Sequence, residues 1–160
     1  MLYGDAMRLP IQSLYKVRRW LLARLGLRTR GVKVMVFNAA GELLLVRNSY
    51  GTTHHHLLPG GGIRPWFETP ASAAAREVRE EVGIAVERLT LVATFHSRAE
   101  GKRDVVHLFT AFTDDRPTAA SFEIEEARFF PLDSLPETIP PATRRRVEEY
   151  RGERAAEGVW

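Results

Sequence analysis

The 160 residues predict an α/β fold in which one mixed β-sheet lies between helices. Three observations carry that expectation. Short runs with period-two alternation of branched apolar residues recur along the chain, as half-buried strands require. Two stretches carry helix chemistry instead, with proline at the start and glycine at an end. Strands and helices intermix without the strict strand–helix–strand rhythm of an all-parallel sheet. A chain of this length fits one compact domain with a short appendage.

The appendage comes first. Residues 10–27 open with a proline, and Ile11, Leu14, Val17, Leu21 and Leu25 recur at helical spacing among arginines and a lysine. Residues 1–30 hold seven Lys/Arg and one acid, whereas residues 31–160 hold sixteen Lys/Arg and nineteen acids. The high pI therefore belongs to this basic amphipathic arm, and the body is mildly acidic. Such a stripe serves an interfacial membrane helix or a docking helix. Docking, on the domain or on a second subunit of a homodimer, is the reading we favour.

The domain proper, residues 31–160, opens as a hairpin. Val32, Val34 and Val36 alternate, Asn38-Ala39-Ala40-Gly41 turns, and Leu43 to Val46 returns. A loop from Asn48 to His56 leads to Leu57-Leu58-Pro59 and three glycines. Thr69 to Val82 is helical, with a Thr-Pro start, an alanine-rich body and Gly83 to close it. Leu89 to Phe95 and Val105 to Phe112 are further strands, 127–130 (ARFF) is a short one, and a final helix runs from Pro141 to about Tyr150.

Composition removes several function classes. Hydrophobic residues at 44% and charged residues at 27% are those of an ordinary globular protein, not a disordered one. The absence of cysteine excludes disulfides and thiolate metal sites, and fits a reducing cytoplasm. The longest apolar run of the arm, Trp20 to Ala23, is far too short for a signal peptide or a bilayer span. A mildly acidic body argues against dedicated nucleic-acid binding.

The chemistry concentrates in Gly62 to Ile84, GIRPWFETPASAAAREVREEVGI. On a helix at about 100° per residue, Glu77, Glu80 and Glu81 share an arc of roughly 100°. Ala71, Ala75, Val78 and Val82 form a separate apolar face on the same wheel. Like charges this close destabilise a helix by a few tenths of a kcal/mol per pair, so a positive partner is expected. Hard divalent cations prefer such oxygen ligands. The plainer alternative is a solvated acidic face. Against it stands the triple-glycine loop feeding this helix, which gives backbone close access to a ligand.

The spacing resembles the signature of the Nudix family: Gly, five residues, Glu, seven residues, then Arg-Glu-apolar-any-Glu-Glu-any-Gly-apolar. Gly62, Glu68, Arg76, Glu77, Val78, Glu80, Glu81, Gly83 and Ile84 fill every position. A chance match in such a chain is on the order of one in ten million at average residue frequencies. The resemblance runs over about residues 31–140, including the Leu-Leu-Val-Arg strand end and the later EIEEARFFPLDSLP segment. It implies the MutT-like α/β/α sandwich and metal-assisted attack of water on a diphosphate linkage. It further implies Mg2+, with Mn2+ as a substitute, held by Glu77, Glu80 and Glu81 and by a Gly60 or Gly61 carbonyl. Glu68 would support the helix and Arg76 would orient a glutamate through an internal ion pair. A later-loop glutamate assists in this family; of Glu123, Glu125 and Glu126, Glu123 is the first choice and Glu126 the second.

The loop departs from the family pattern, since Arg64-Pro65-Trp66-Phe67 stands where relatives carry an acid and a glycine. Trp66 and Phe67 could stack on a base or be exposed loop aromatics. His56 occupies a position where relatives carry an aromatic, which favours a role at the cleft edge, and Arg47 could reach a phosphate. The box does not choose the substrate. His96 to Gly101 lacks the proline typical of ADP-ribose hydrolases and the tyrosine of dinucleoside tetraphosphate hydrolases. A nucleoside triphosphate, or a nucleoside diphosphate linked to another moiety, is therefore favoured over ADP-ribose or another NDP-sugar. A non-catalytic ligand-binding module is the alternative from another class.

Overall fold

A computed structural model describes residues 29–49, 54–97 and 104–160. The amphipathic segment 10–27 lies outside them. Among the described residues six strands and two α-helices follow in order: β1 (Arg30–Phe37), β2 (Leu43–Asn48), β3 (His56–Leu57), α1 (Pro70–Val82), β4 (Thr90–Ser97), β5 (Asp104–Phe112), β6 (Ile124–Phe130) and α2 (Pro141–Tyr150). A 3-10 turn, Leu132–Ser134, which the sequence reading does not include, precedes α2. No helix among the described residues is long and apolar enough to cross a membrane.

The sheet is mixed, as its patterning requires. Its order is β3-β2-β1-β5-β4, with β6 on the other edge of β2. β1 runs parallel to β5, and the other pairings are antiparallel. Alternation along β1 sends Val32, Val34 and Val36 into a core shared with α1, while Met35 and Phe37 enter a second core shared with α2. Burying each such side chain contributes roughly 1.5–3 kcal/mol, so both faces of the sheet are covered because both are apolar. β6 is longer than the ARFF strand expected: pairing with β2 begins at Asn48↔Ile124, where the register shifts.

One irregularity positions the functional region. β1 meets β2 only at Phe37↔Leu43 and then diverges from it. The backbone of Pro59–Ile63 fills the gap, with Val34 N donating to Pro59 O, Val32 N to Gly61 O and Ile63 N to Arg30 O at 2.9–3.0 Å. The glycine stretch is thus held against β1 by ladder bonds and not by its own turn propensity.

Candidate active site

α1 is fixed at both ends by local chemistry. Thr69 Oγ1 accepts from Ser72 N at 3.1 Å, and Ser72 Oγ accepts from Thr69 N at 2.9 Å, a reciprocal cap. Gly83 closes the helix in the left-handed region at φ 72°. A side chain there would also meet Thr118 Oγ1 at 2.9 Å. Thr118 N and Ala120 N donate to the otherwise free carbonyls of Val82 and Glu81. This strap brings the turn that carries Glu123 beside the end of α1.

The buried face of α1 differs from the wheel. Ala73, Ala74, Val78 and Val82 are buried, whereas Ala71 is exposed and Ala75 half-buried. Ala71 belongs to the first turn, which the Thr69–Ser72 cap holds rather than packing. Ala73, one turn before Glu77, is buried on the carboxylate side.

Arg76 is the hub of the acidic face. Its Nε donates to Glu68 Oε1 at 2.5 Å and its Nη2 to Glu68 Oε2 at 3.0 Å, a two-point clamp. Nη1 donates to Glu77 Oε1 at 2.8 Å and to Glu80 Oε2 at 3.1 Å, and Nη2 reaches Gly62 O at 3.0 Å. Glu68 also accepts from Arg64 N at 2.9 Å. The Arg76 hydrogen bonds, with the Arg64 amide, hold the Glu68 carboxyl down at about 2. Arg76 is therefore spent inside the protein, fastening the loop to the helix.

The glycine turn meets the other two carboxylates. Gly60 N donates to Glu81 Oε2 at 2.9 Å. Gly60 has φ 140°, and an added Cβ would sit 2.1 Å from Val32 O, so only glycine fits. At Gly61 a Cβ would fall 2.6–2.8 Å from the Glu77 carboxylate atoms. The bare backbone there is the cradle for that carboxylate. Burial pushes the Glu81 carboxyl up to about 7, against the Lys33 charge and the Gly60 amide, with Glu77 and Glu123 adding to the rise.

Lys33 belongs to this region and is absent from the sequence-based set. Its Nζ donates to Leu58 O at 2.8 Å and to Gly60 O at 3.3 Å. Burial lowers its pKa, although Glu81 and Glu77 favour the charged form. The signal was present: a lysine in register with Met35 and Phe37, on a strand face that is otherwise core.

The later glutamates divide. Glu125 Oε2 accepts from Arg47 Nη1 at 3.0 Å, and Glu126 Oε2 from Arg47 Nε at 3.1 Å. Glu126 also lies 3.6 Å from His56 Nε2 and 3.4 Å from Arg128 Nε. Against a desolvation that would raise it, Arg47, His56 and Arg128 hold the Glu126 carboxyl below its usual range. Glu123 is exposed and has no recorded ion-pair partner among the described residues. His56 is fixed by Thr138 Oγ1 at 2.6 Å from Nδ1 and packs edge-on to Phe130. Desolvation lowers its pKa, opposed by the neighbouring Glu126. Trp66 and Phe67 project into solvent, 96% and 87% exposed, and Trp66 adopts φ 72°.

Among the described residues no three His, Asp or Glu side chains stand as a ready-made ion cage. Arg76 Nη1 draws Glu77 and Glu80 to itself, so the three carboxylates are less convergent than the wheel implies. The donor set nonetheless fits a hard divalent cation that keeps waters and leans on substrate phosphates. Three carboxylates share one helix, and the Gly61 cradle leaves room for one of them. Of the two carbonyls considered, Gly61 O accepts from the Val32 amide at 2.9 Å and Gly60 O from the Lys33 ammonium at 3.3 Å, so Gly60 O holds the longer and weaker of the two bonds.

A sheet between two helices, with a glycine turn seating the carboxylates of the first, defines a class of protein that comparison identifies. The model of the NUDIX domain matches residues 27–150, and the chain belongs to the Nudix family. An uncharacterised Nudix hydrolase of Pseudomonas aeruginosa is 34% identical over 126 residues, covering 75% of this chain and 71% of its own. An isopentenyl-diphosphate Delta-isomerase of Serratia proteamaculans is 27% identical over 127 residues, covering 74% and 69%. Among solved structures, the MutT NUDIX hydrolase of Burkholderia pseudomallei superposes with a TM-score of 0.66 at 29% identity, covering 76% of this chain and 97% of that one.

Proposed function

We propose that this chain hydrolyses a diphosphate linkage in a nucleoside triphosphate or in a nucleoside diphosphate joined to another moiety. The observation that carries the reading is the seating of the box carboxylates on the glycine turn, Glu77 in the space Gly61 leaves open and Glu81 on the Gly60 amide. Glu77, Glu80 and Glu81 would hold Mg2+ or Mn2+, with the Gly60 carbonyl as a further oxygen donor. Such an ion, when bound, neutralises the diphosphate oxygens and makes water a better nucleophile.

The chain's own residues divide the remaining work. Glu123, unpaired among the described side chains and close enough to influence Glu81, is the carboxylate free to take a proton from the attacking water. The water oxygen joins one phosphorus as that phosphorus loses its bond to the bridging oxygen, which leaves with the other phosphate and takes up a proton. Arg76 positions Glu77 and Glu80 without touching substrate. His56, beside Phe130, forms a cleft edge suited to a base, and Arg47 beside it would meet a phosphate only by leaving Glu125 or Glu126. Trp66 and Phe67 stand at the loop tip, where a substrate's outer portion can reach them.

The test is a panel of nucleoside triphosphates, NDP-sugars, ADP-ribose, dinucleoside polyphosphates and isopentenyl diphosphate, incubated with Mg2+ and read by phosphate release after phosphatase coupling. Turnover of at least one nucleotide, abolished by excess EDTA, is expected. Saturable nucleotide binding without turnover would instead establish a non-catalytic module. Conversion of isopentenyl diphosphate to its isomer, with no hydrolysis anywhere, would move the chain to the chemistry of its isomerase relative.

A further inference from the structure

Lys33 breaks the rule of the strand it sits on. Along β1 its face continues with Met35 and Phe37, 0% and 2% exposed, inside the α2-side core. A lysine in that register costs desolvation unless its head finds partners. It finds two carbonyls of one turn, Leu58 O at 2.8 Å and Gly60 O at 3.3 Å. An ammonium has three donors and accepts nothing, so this cradle of carbonyls suits a small cation. No carboxylate ion pair with Lys33 is recorded among the described residues, yet Glu81 and Glu77 are near enough to favour its charge. Gly60 is therefore gripped from both sides, its carbonyl by the Lys33 ammonium and its amide by Glu81 Oε2 at 2.9 Å.

We infer that Lys33 is the internal counter-cation of the carboxylate site and holds down its affinity for a divalent ion. The inference rests on the metal-dependent reading of the site proposed above. The ammonium already occupies the Gly60 carbonyl, which a divalent ion would also use. Its charge partly cancels the field of Glu77 and Glu81 that would attract that ion. Removing one nearby positive charge from a site of low dielectric strengthens the attraction of a dication more than that of any monovalent ion. An anionic diphosphate restores the missing negative charge, so the site takes its metal most readily together with substrate.

The experiment measures Mn2+ binding to the full chain without nucleotide, by loss of the free-ion electron paramagnetic resonance signal. Lys33→Gln removes the charge but keeps amide donors for the two carbonyls, Lys33→Met removes both, and Lys33→Arg keeps the charge. Both neutral variants should bind Mn2+ about tenfold more tightly than wild type or better, with Lys33→Arg within about threefold of it. Circular dichroism verifies the fold of each, and Lys33→Gln carries the test should Lys33→Met not fold. Unchanged or weaker Mn2+ binding by a folded neutral variant overturns the inference while leaving the hydrolase reading in place. Failure of wild type and both folded neutral variants alike to bind Mn2+ overturns this inference, and the metal reading falls with it only if nucleotide turnover also survives excess EDTA.

Discussion

The Gly60 amide donates to Glu81 Oε2 at 2.9 Å across twenty-one residues of chain. That bond joins the glycine turn to α1, because Gly60 is laddered to β1 through its neighbours and Glu81 lies in the last turn of the helix. α1 is consequently registered against the sheet through a backbone amide at a position where only glycine fits. One turn earlier the Glu77 carboxylate packs against Gly61, in the space that a side chain there would fill.

The two glycines should fail in different ways when given a methyl group. Gly60→Ala places Cβ 2.1 Å from Val32 O and forces alanine to φ 140°. It should destabilise the domain by about 2–4 kcal/mol, since both backbone strain and overpacking oppose it. Gly61→Ala meets the Glu77 carboxylate first, at 2.6–2.8 Å, and a side chain can move. It should fold with a Tm near wild type and lose activity and Mn2+ affinity together. Equal melting temperatures for the two variants would show that the Gly60 contact is relieved elsewhere.

Glu80 offers the cleanest test of the carboxylate set, because its side chain is 48% exposed and supports little packing. Its oxygens meet Arg76 at 3.1 Å and Arg64 at 3.6 Å, surface pairs worth at most about 1 kcal/mol. Glu80→Gln should leave the melting curve almost unchanged and lower kcat by about 10²–10³-fold or more. Turnover near wild type in Mg2+ would remove Glu80 from the ligand set.

Much of this was legible beforehand because it is local. Thr69 and Gly83 announce the ends of α1, and alternation at Val32, Val34 and Val36 announces β1. What escaped is set by partners far along the chain. Arg47 is engaged by Glu125 and Glu126, 78 and 79 residues away, through the β2–β6 register. Lys33 gains its importance only because β1 parts from β2 and admits the glycine stretch. Ala73 replaces Ala71 in the core because a helical wheel knows nothing of how far the sheet extends.

The Glu68–Arg76 clamp should make an acid-dependent contribution to stability. Held by Arg76 and the Arg64 amide, the Glu68 carboxyl titrates at about 2 in the folded protein against 4.5 ordinarily. A depressed folded value means that the unfolded chain binds the proton first as pH falls. The contribution is therefore full above about pH 4.5, declines below it, and is gone once pH passes through about 2. Melting curves of wild type and Glu68→Gln should differ most at neutral pH and converge between those limits. A constant gap down to pH 2 would mean that Glu68 acts through shape and not charge.

The loop aromatics should affect substrate choice and nothing else. Trp66 and Phe67 are 96% and 87% exposed, so replacing both with alanine removes almost no buried surface and should leave Tm unchanged. They belong to the same loop as Arg64, whose amide fixes Glu68, yet their own rings make no contact with the box. If a base or a second substrate moiety stacks on them, each ring contributes about 0.5–1.5 kcal/mol. Contacts made equally in ground and transition states raise KM when lost and leave kcat alone. The double variant should therefore show KM raised unevenly across nucleoside triphosphates and NDP-sugars, at constant kcat. Identical kinetics throughout the panel would make the rings bystanders. A fall in kcat at constant KM would instead mean that the loop transmits strain to the carboxylates, either through the Arg64 amide on Glu68 and Arg76 or through the Arg64 side chain beside Glu80.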